Sequence, residues 1–161
     1  MIGFADVLTK YQCLLQALIA AQRDPGHRGS PEGGLAGLTE SERLEFFAHT
    51  RTQLEKSTFI LLIASIEAEL ARDMFSRTKG KKRQSKLTDQ LRDLEVTKVG
   101  HVTAVDIVTV WQRHTLTGKG PINRFKAAYK YRNWLAHGEH WTWKDGPEFE
   151  IDRVISIQQE L

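Results

Sequence analysis

Apolar residues recur along most of this chain at spacings of three and four, the period of an α-helix with one buried side. The first run spans Ile2–Gln22, with Phe4, Val7, Leu8, Tyr11, Leu14, Leu15, Leu18 and Ile19 on one face. Asp24-Pro25-Gly26 ends it, and the Gly-, Pro- and Ser-rich stretch through Gly34 reads as an exposed loop. Thr39 or Ser41 then caps a second helix, whose Glu42 and Glu45 suit the positive end of its dipole. The pattern continues unbroken through Leu44, Phe47, Leu54, Phe59, Leu62, Ile63, Ile66, Leu70 and Met74. This predicts the longest helix and the spine of the fold. Phe59-Ile60-Leu61-Leu62-Ile63 is apolar around most of the circumference, so burial on several sides is expected there.

Ser85 suits the N-cap of a short helix reaching Leu94. Thr103–Leu116 reads as a fourth helix, although the β-branched Val105, Ile107, Val108 and Val110 also suit a strand. Thr117-Gly118-Lys119-Gly120-Pro121 predicts a break. Asn123 to His137 is then a fifth helix, with Phe125, Ala128, Tyr129, Trp134 and Leu135 inward and Gly138 as its stop. Asp145-Gly146-Pro147 marks a turn, as of a small hairpin, and Asp152 caps a final short helix with Val154, Ile155 and Ile157 inward. The sum is one all-α domain over residues 1–161. It is a four- to five-helix bundle followed by a short C-terminal turn or hairpin and a final helix.

Composition adds little to this picture. At 161 residues, 40% hydrophobic and 27% charged, the chain is long enough for one real core. A net charge of +3 favours an anionic partner only weakly. Cys13 is the sole cysteine, which rules out an intrachain disulfide and a cysteine-built zinc site. Met1–Gln22 lacks a basic leader and is interrupted by Asp6, so it does not read as a signal peptide. Phe59–Ile63 is too short to span a bilayer. No membrane partner is expected, and a cytoplasmic location is.

The chemistry concentrates in Tyr131-Arg132-Asn133-Trp134-Leu135-Ala136-His137-Gly138. An imidazole moves protons near neutral pH, and a guanidinium pairs with phosphate oxygens as negative charge builds on them. Arg132 and His137 could instead do no more than stabilise the negative end of a helix dipole. Three details favour function. Asn133 adds a polar group directly after Arg132. Trp134-Leu135-Ala136, between Asn133 and His137, are apolar, so the segment packs while its ends stay polar. Arg124, Lys126 and Lys130 on the same helix make a cationic surface suited to a phosphate backbone.

Arg132-Asn133-Trp134-Leu135-Ala136-His137-Gly138 resembles the R-x4-6-H motif of HEPN domains, including a polar residue after the arginine. The continuation through Trp141, a turn and a last amphipathic helix is also similar to one branch of that family, over roughly Tyr129–Leu161. The resemblance implies a small helical bundle that acts as a metal-independent endoribonuclease, with no cofactor. It implies a prokaryotic toxin–antitoxin or phage-defence setting, a homodimer with two motifs facing one cleft, and a cognate antitoxin. Carried over, Arg132 and His137 are the catalytic pair and Asn133 an accessory polar group. Glu67 is a supporting acid from an earlier helix, favoured over Glu69 by its inward-facing neighbours Ile66 and Leu70. Some HEPN toxins carry a modified tyrosine two residues after the histidine. Here that position is Glu139, which argues against that route.

Other features have two readings each. Trp134, Trp141 and Trp143 could stack on unpaired bases, with Trp141 the RNA-binding candidate, or pack the tail against the bundle. Arg77, Lys79, Lys81, Lys82, Arg83 and Lys86 form either an RNA-contacting rim or solvated loop charge. His137 and His140 flank Glu139, but no further ligands complete a metal site. The alternatives to a ribonuclease are a non-catalytic module binding RNA or protein, a structural protein whose motif only ends a helix, and, last for want of ligands, a metal-dependent hydrolase.

Overall fold

The computed structural model describes residues 3–23, 35, 37–80, 85–115, 118–138, 143 and 150–161. Among these it contains six α-helices and no strand. They are α1 (Phe4–Arg23), α2 (Glu40–Lys79), α3 (Lys86–Thr97), α4 (Ala104–His114), α5 (Lys119–Ala136) and α6 (Ile151–Glu160). No described helix is long and apolar enough to cross a membrane.

Local chemistry fixes the starts of three helices. Thr39 and Glu42 form a reciprocal capping box at α2: the Thr39 hydroxyl accepts from the Glu42 backbone N–H, while the Glu42 carboxylate accepts from the Thr39 backbone at 2.7 Å. Those hydrogen bonds hold the Glu42 carboxyl below its ordinary range. Thr103 and Asp106 repeat the device at α4. It overrides the β-branched run there, and Ile107, Val108 and Val110 enter the core from a helix, not a strand. Ser85 caps α3 as expected.

Some boundaries differ from the sequence expectation, and α3 runs on to Thr97, past the expected end at Leu94. α5 begins at Lys119, so the expected break ends one turn early and Pro121 lies inside the first turn. Proline is tolerated there because its missing N–H would have had no helical partner. α6 is preceded by Glu150, which makes no side-chain cap, and Asp152 lies within the first turn instead of capping it. The expected hairpin around Asp145-Gly146-Pro147 lies outside the described residues.

One hydrophobic core draws on all six helices. Phe59, Leu62, Ile63, Ile66, Leu70 and Met74 of α2 meet Leu91 of α3, Val108 of α4, Ile122 and Phe125 of α5, and Val154 and Ile157 of α6. α1 packs on α2, adding Phe4 and Val7 at its first two turns. The bundle therefore encloses the second half of α2. Within Glu40–Ser57, only Phe47 is buried. Leu44, expected inward, is exposed. Leu61, expected to be buried with its neighbours, is 52% exposed, while Phe59, Leu62 and Ile63 are fully covered.

Candidate functional site

α5 is placed by the core. Phe125, Ala128, Tyr131, Trp134 and Leu135 are buried, and the Tyr131 ring packs edge-on against Phe59 at 5.2 Å. Tyr131 also stacks on Trp134 and meets Trp143 edge-on at 5.2 Å. Trp134 and Trp143 thus belong to the packing of the tail against the bundle. Trp141 lies outside the described residues, as do Glu139 and His140.

With Tyr131 and Leu135 inward, Arg132 falls on the edge of α5 that faces α2. Its guanidinium meets the Glu67 carboxylate at 3.2 Å and donates to the Asn133 side-chain oxygen at 2.9 Å. The Arg132 and Glu67 side chains are only 26% and 23% exposed. Arg132 Nε is buried and finds no acceptor among the described residues. The Tyr129 ring lies 5.9 Å from the Arg132 guanidinium carbon, and its hydroxyl faces the Asn133 and Glu67 side chains. Arg132, Asn133, Tyr129 and Glu67 thus form one polar cluster, joined by the Arg132–Glu67 ion pair and the Arg132–Asn133 hydrogen bond. Burial first, then the Glu67 carboxylate, pushes the Tyr129 hydroxyl above its ordinary pKa, which keeps it a donor.

His137 stands differently. It is the C-cap of α5, its backbone N–H returning to the Asn133 carbonyl at 3.0 Å. Gly138 follows with φ of +79°, the left-handed conformation that ends a helix without a Cβ clash. The His137 side chain is exposed. Five helical positions correspond to roughly 140° around the axis and ~7.5 Å along it, so Arg132 and His137 leave α5 in different directions. The residues sharing His137's side of the helix are Lys130, exposed, and Lys126, half-buried, at spacings of seven and eleven. Asn133 lies between the two groups.

The remaining cations spread out. Arg124 pairs with Glu160 of α6 and so faces away from Lys126 and Lys130. Arg77 pairs with Asp73 at 2.5 Å and lies over the Trp111 ring, and Lys79 pairs with Glu95 at 3.0 Å. Lys81, Lys82 and Arg83 lie outside the described residues. No group of three His, Cys, Asp or Glu side chains able to hold a metal forms among the described residues.

The structure thus brings Glu67, Arg132 and Asn133 together and leaves His137 two turns from Lys130 on another side of α5. Tyr129 is the member that sequence reasoning left out of the site. Its position three before Arg132 and four before Asn133 puts all three on adjacent faces, but as an aromatic in an apolar helix it read as core. No protein-family model, curated protein or solved structure matches the chain.

Proposed function

We propose that this domain is a metal-independent endoribonuclease of the HEPN type, acting in the cytoplasm of a prokaryote within a toxin–antitoxin or phage-defence system. The observation that carries the reading is Arg132, held by Glu67 and Asn133 on a helix that ends in an exposed histidine. Such an arrangement offers a positioned cation and a proton carrier on one rigid element.

RNA brings its own nucleophile. The His137 imidazole takes the proton of the 2′-OH, and that oxygen attacks the adjacent phosphorus. The 5′-oxygen leaves and collects a proton, giving a 2′,3′-cyclic phosphate and a 5′-OH. Arg132 has five N–H donors, of which Glu67 and Asn133 engage two, so others can meet the phosphorane oxygens. Lys126 and Lys130 hold the backbone beside His137. DNA, lacking the 2′-OH, is not cut. A cognate antitoxin is the expected regulator.

A second reading, a module that binds RNA or protein without cutting it, draws on the same geometry. Glu67 offsets the charge of Arg132, and Arg132 and His137 diverge around α5. RNA cleavage by purified protein in excess EDTA, with end-group analysis and His137→Ala alongside, separates the two. Cleavage that leaves cyclic phosphate and falls ~10²–10⁴-fold in the variant supports the ribonuclease. A folded wild type that cuts no RNA, or a variant of equal activity, sinks it and leaves the binding module.

A further inference from the structure

α5 and α6 run antiparallel and leave a furrow between them. Arg124 pairs with Glu160 near one end, while Leu135 and Ile151 line a common cavity at the other. The furrow is open and measures about 580 Å³, with Asn123, Arg124 and Ala127 on the α5 wall and Arg153, Ser156 and Glu160 on the α6 wall. Arg124 and Glu160 offset each other. Arg153 is exposed and has no ion-pair partner among the described residues. It stands in the first turn of α6, where the helix dipole disfavours a cation, so helix stability does not account for it. The nearby acids Glu150 and Asp152 line a separate cavity toward α2. The furrow is therefore left with a surplus of positive charge.

The furrow also leads toward His137. Asn123, Ala127, Lys130, Trp134 and His137 follow one another along α5 at alternating steps of four and three. That alternation keeps them in line, with a drift of only ~20° per seven residues. Asn123 and Ala127 lie in the furrow, and Lys130 and His137 are exposed beyond it. Trp134, between those two, is buried and lies 5.7 Å from the Trp143 ring. Past Lys130 the line therefore continues over the surface and no longer as a groove.

We propose that the furrow holds the sugar–phosphate backbone of the strand to be cut, with Arg153 on a phosphate remote from the scissile bond and Lys130 on one nearer His137. This rests on the ribonuclease reading and adds to it a substrate contact on a second helix. Asn123 to His137 spans roughly 21 Å of helix, room for about three to four nucleotides of an extended strand. The contact is blind to sequence. Arginine pairs with phosphate oxygens, whereas base edges would need donors and acceptors from the floor, which Ala127 and Ile157 supply with carbon alone.

The probe is a fluorescein-labelled 2′-fluoro oligouridine, which has no 2′-OH and so cannot be cleaved by this route, and the readout is anisotropy over a salt series. Arg153→Gln weakens binding several-fold and lowers the slope of log K against log salt by ~0.7, the value of one phosphate contact on a single strand. Glu160→Gln removes the one acid among the described residues of the furrow and frees Arg124, so it tightens binding. Arg23→Gln and Glu45→Gln make the same charge changes at exposed positions of α1 and α2 and leave affinity and slope as they were. In cleavage of ordinary RNA, Arg153→Gln raises KM and leaves kcat, because its contact is equally present before and during the reaction. An Arg153→Gln protein that behaves like Arg23→Gln, a Glu160→Gln protein that binds no tighter, or a wild type that binds no strand overturns the proposal. Cleavage of ordinary RNA by that same wild type would leave the ribonuclease reading standing. The expected binding pattern in a protein that cuts nothing supports the furrow and sinks that reading instead.

Discussion

The two sides of α5 present their polar groups in opposite ways. On the side toward α2, Arg132 is tied to Glu67 and Asn133 beside the Tyr129 ring, in a cluster only partly open to water. On the outer side, Lys126, Lys130 and His137 stand at or near the surface, with the imidazole exposed at the helix end. The inner group gains precision, because four side chains fix one another's positions. The outer group keeps freedom and access to solvent. In the proposed reaction, the side chain that exchanges protons would lie on the accessible side and the cation that holds its place in the cluster. The difference also sets which substitutions disturb the fold and which disturb only function.

The sharpest way to break this contrast is to compare His137→Ala with Arg132→Ala in both cleavage and thermal unfolding. Both variants should lose cleavage, yet only Arg132→Ala should unfold earlier, since exposed surface changes stay within ~0.5 kcal/mol. A drop in melting temperature for His137→Ala would show that the imidazole is structural. Next in size is Glu67→Ala, which takes the charged partner from the half-buried guanidinium and leaves it the Asn133 oxygen. Loss of one partner of a buried polar pair costs about 1–3 kcal/mol, or roughly 3–10 °C in a domain of this size. An unchanged melting curve would mean the cluster does not hold Arg132.

The smallest effect belongs to Tyr129→Phe, which removes the hydroxyl that faces Asn133 and Glu67 and should cost ~1 kcal/mol at neutral pH. It should also alter the alkaline limb. The Tyr129 hydroxyl ionises above its ordinary value of 10.0 in the folded chain. The unfolded chain therefore releases that proton first, so the contribution is complete below this value and is lost as pH rises beyond it. Denaturant unfolding from pH 8 to 11 should show a shallower decline for the variant than for the wild type. Equal slopes would place the titration elsewhere, Tyr11 being the other tyrosine raised by burial.

Much of the fold could be read from the sequence because α2, α3 and α4 announce themselves with side-chain caps and α1 to α5 with period. The departures have physical causes. Pro121 looked like a breaker but occupies a first turn, where its ring fits. Leu44 satisfies the helical period and Leu61 belongs to a run apolar all round, yet neither pattern records whether a neighbour arrives to cover a given side. The site was legible as far as Arg132, Asn133, Glu67 and His137. Tyr129 was not, because its polar role depends on Glu67, 62 positions earlier and on another helix. The separation of Arg124 from the other cations was equally hidden, since its partner Glu160 comes from α6.

Three successive residues of α2 answer to three different neighbours. Ile66 enters the core, Glu67 reaches Arg132, and Ala68 lines a groove shared with α1. Each residue added to or removed from a helix turns everything beyond it by about 100°. A single-residue insertion or deletion between Thr58 and Met74 would therefore misalign all three at once, where a point substitution disturbs one. This stretch should accept exchanges of letters far more readily than changes in length. A whole heptad inserted ahead of Phe47 would lengthen the free end of α2 and leave its phase nearly intact.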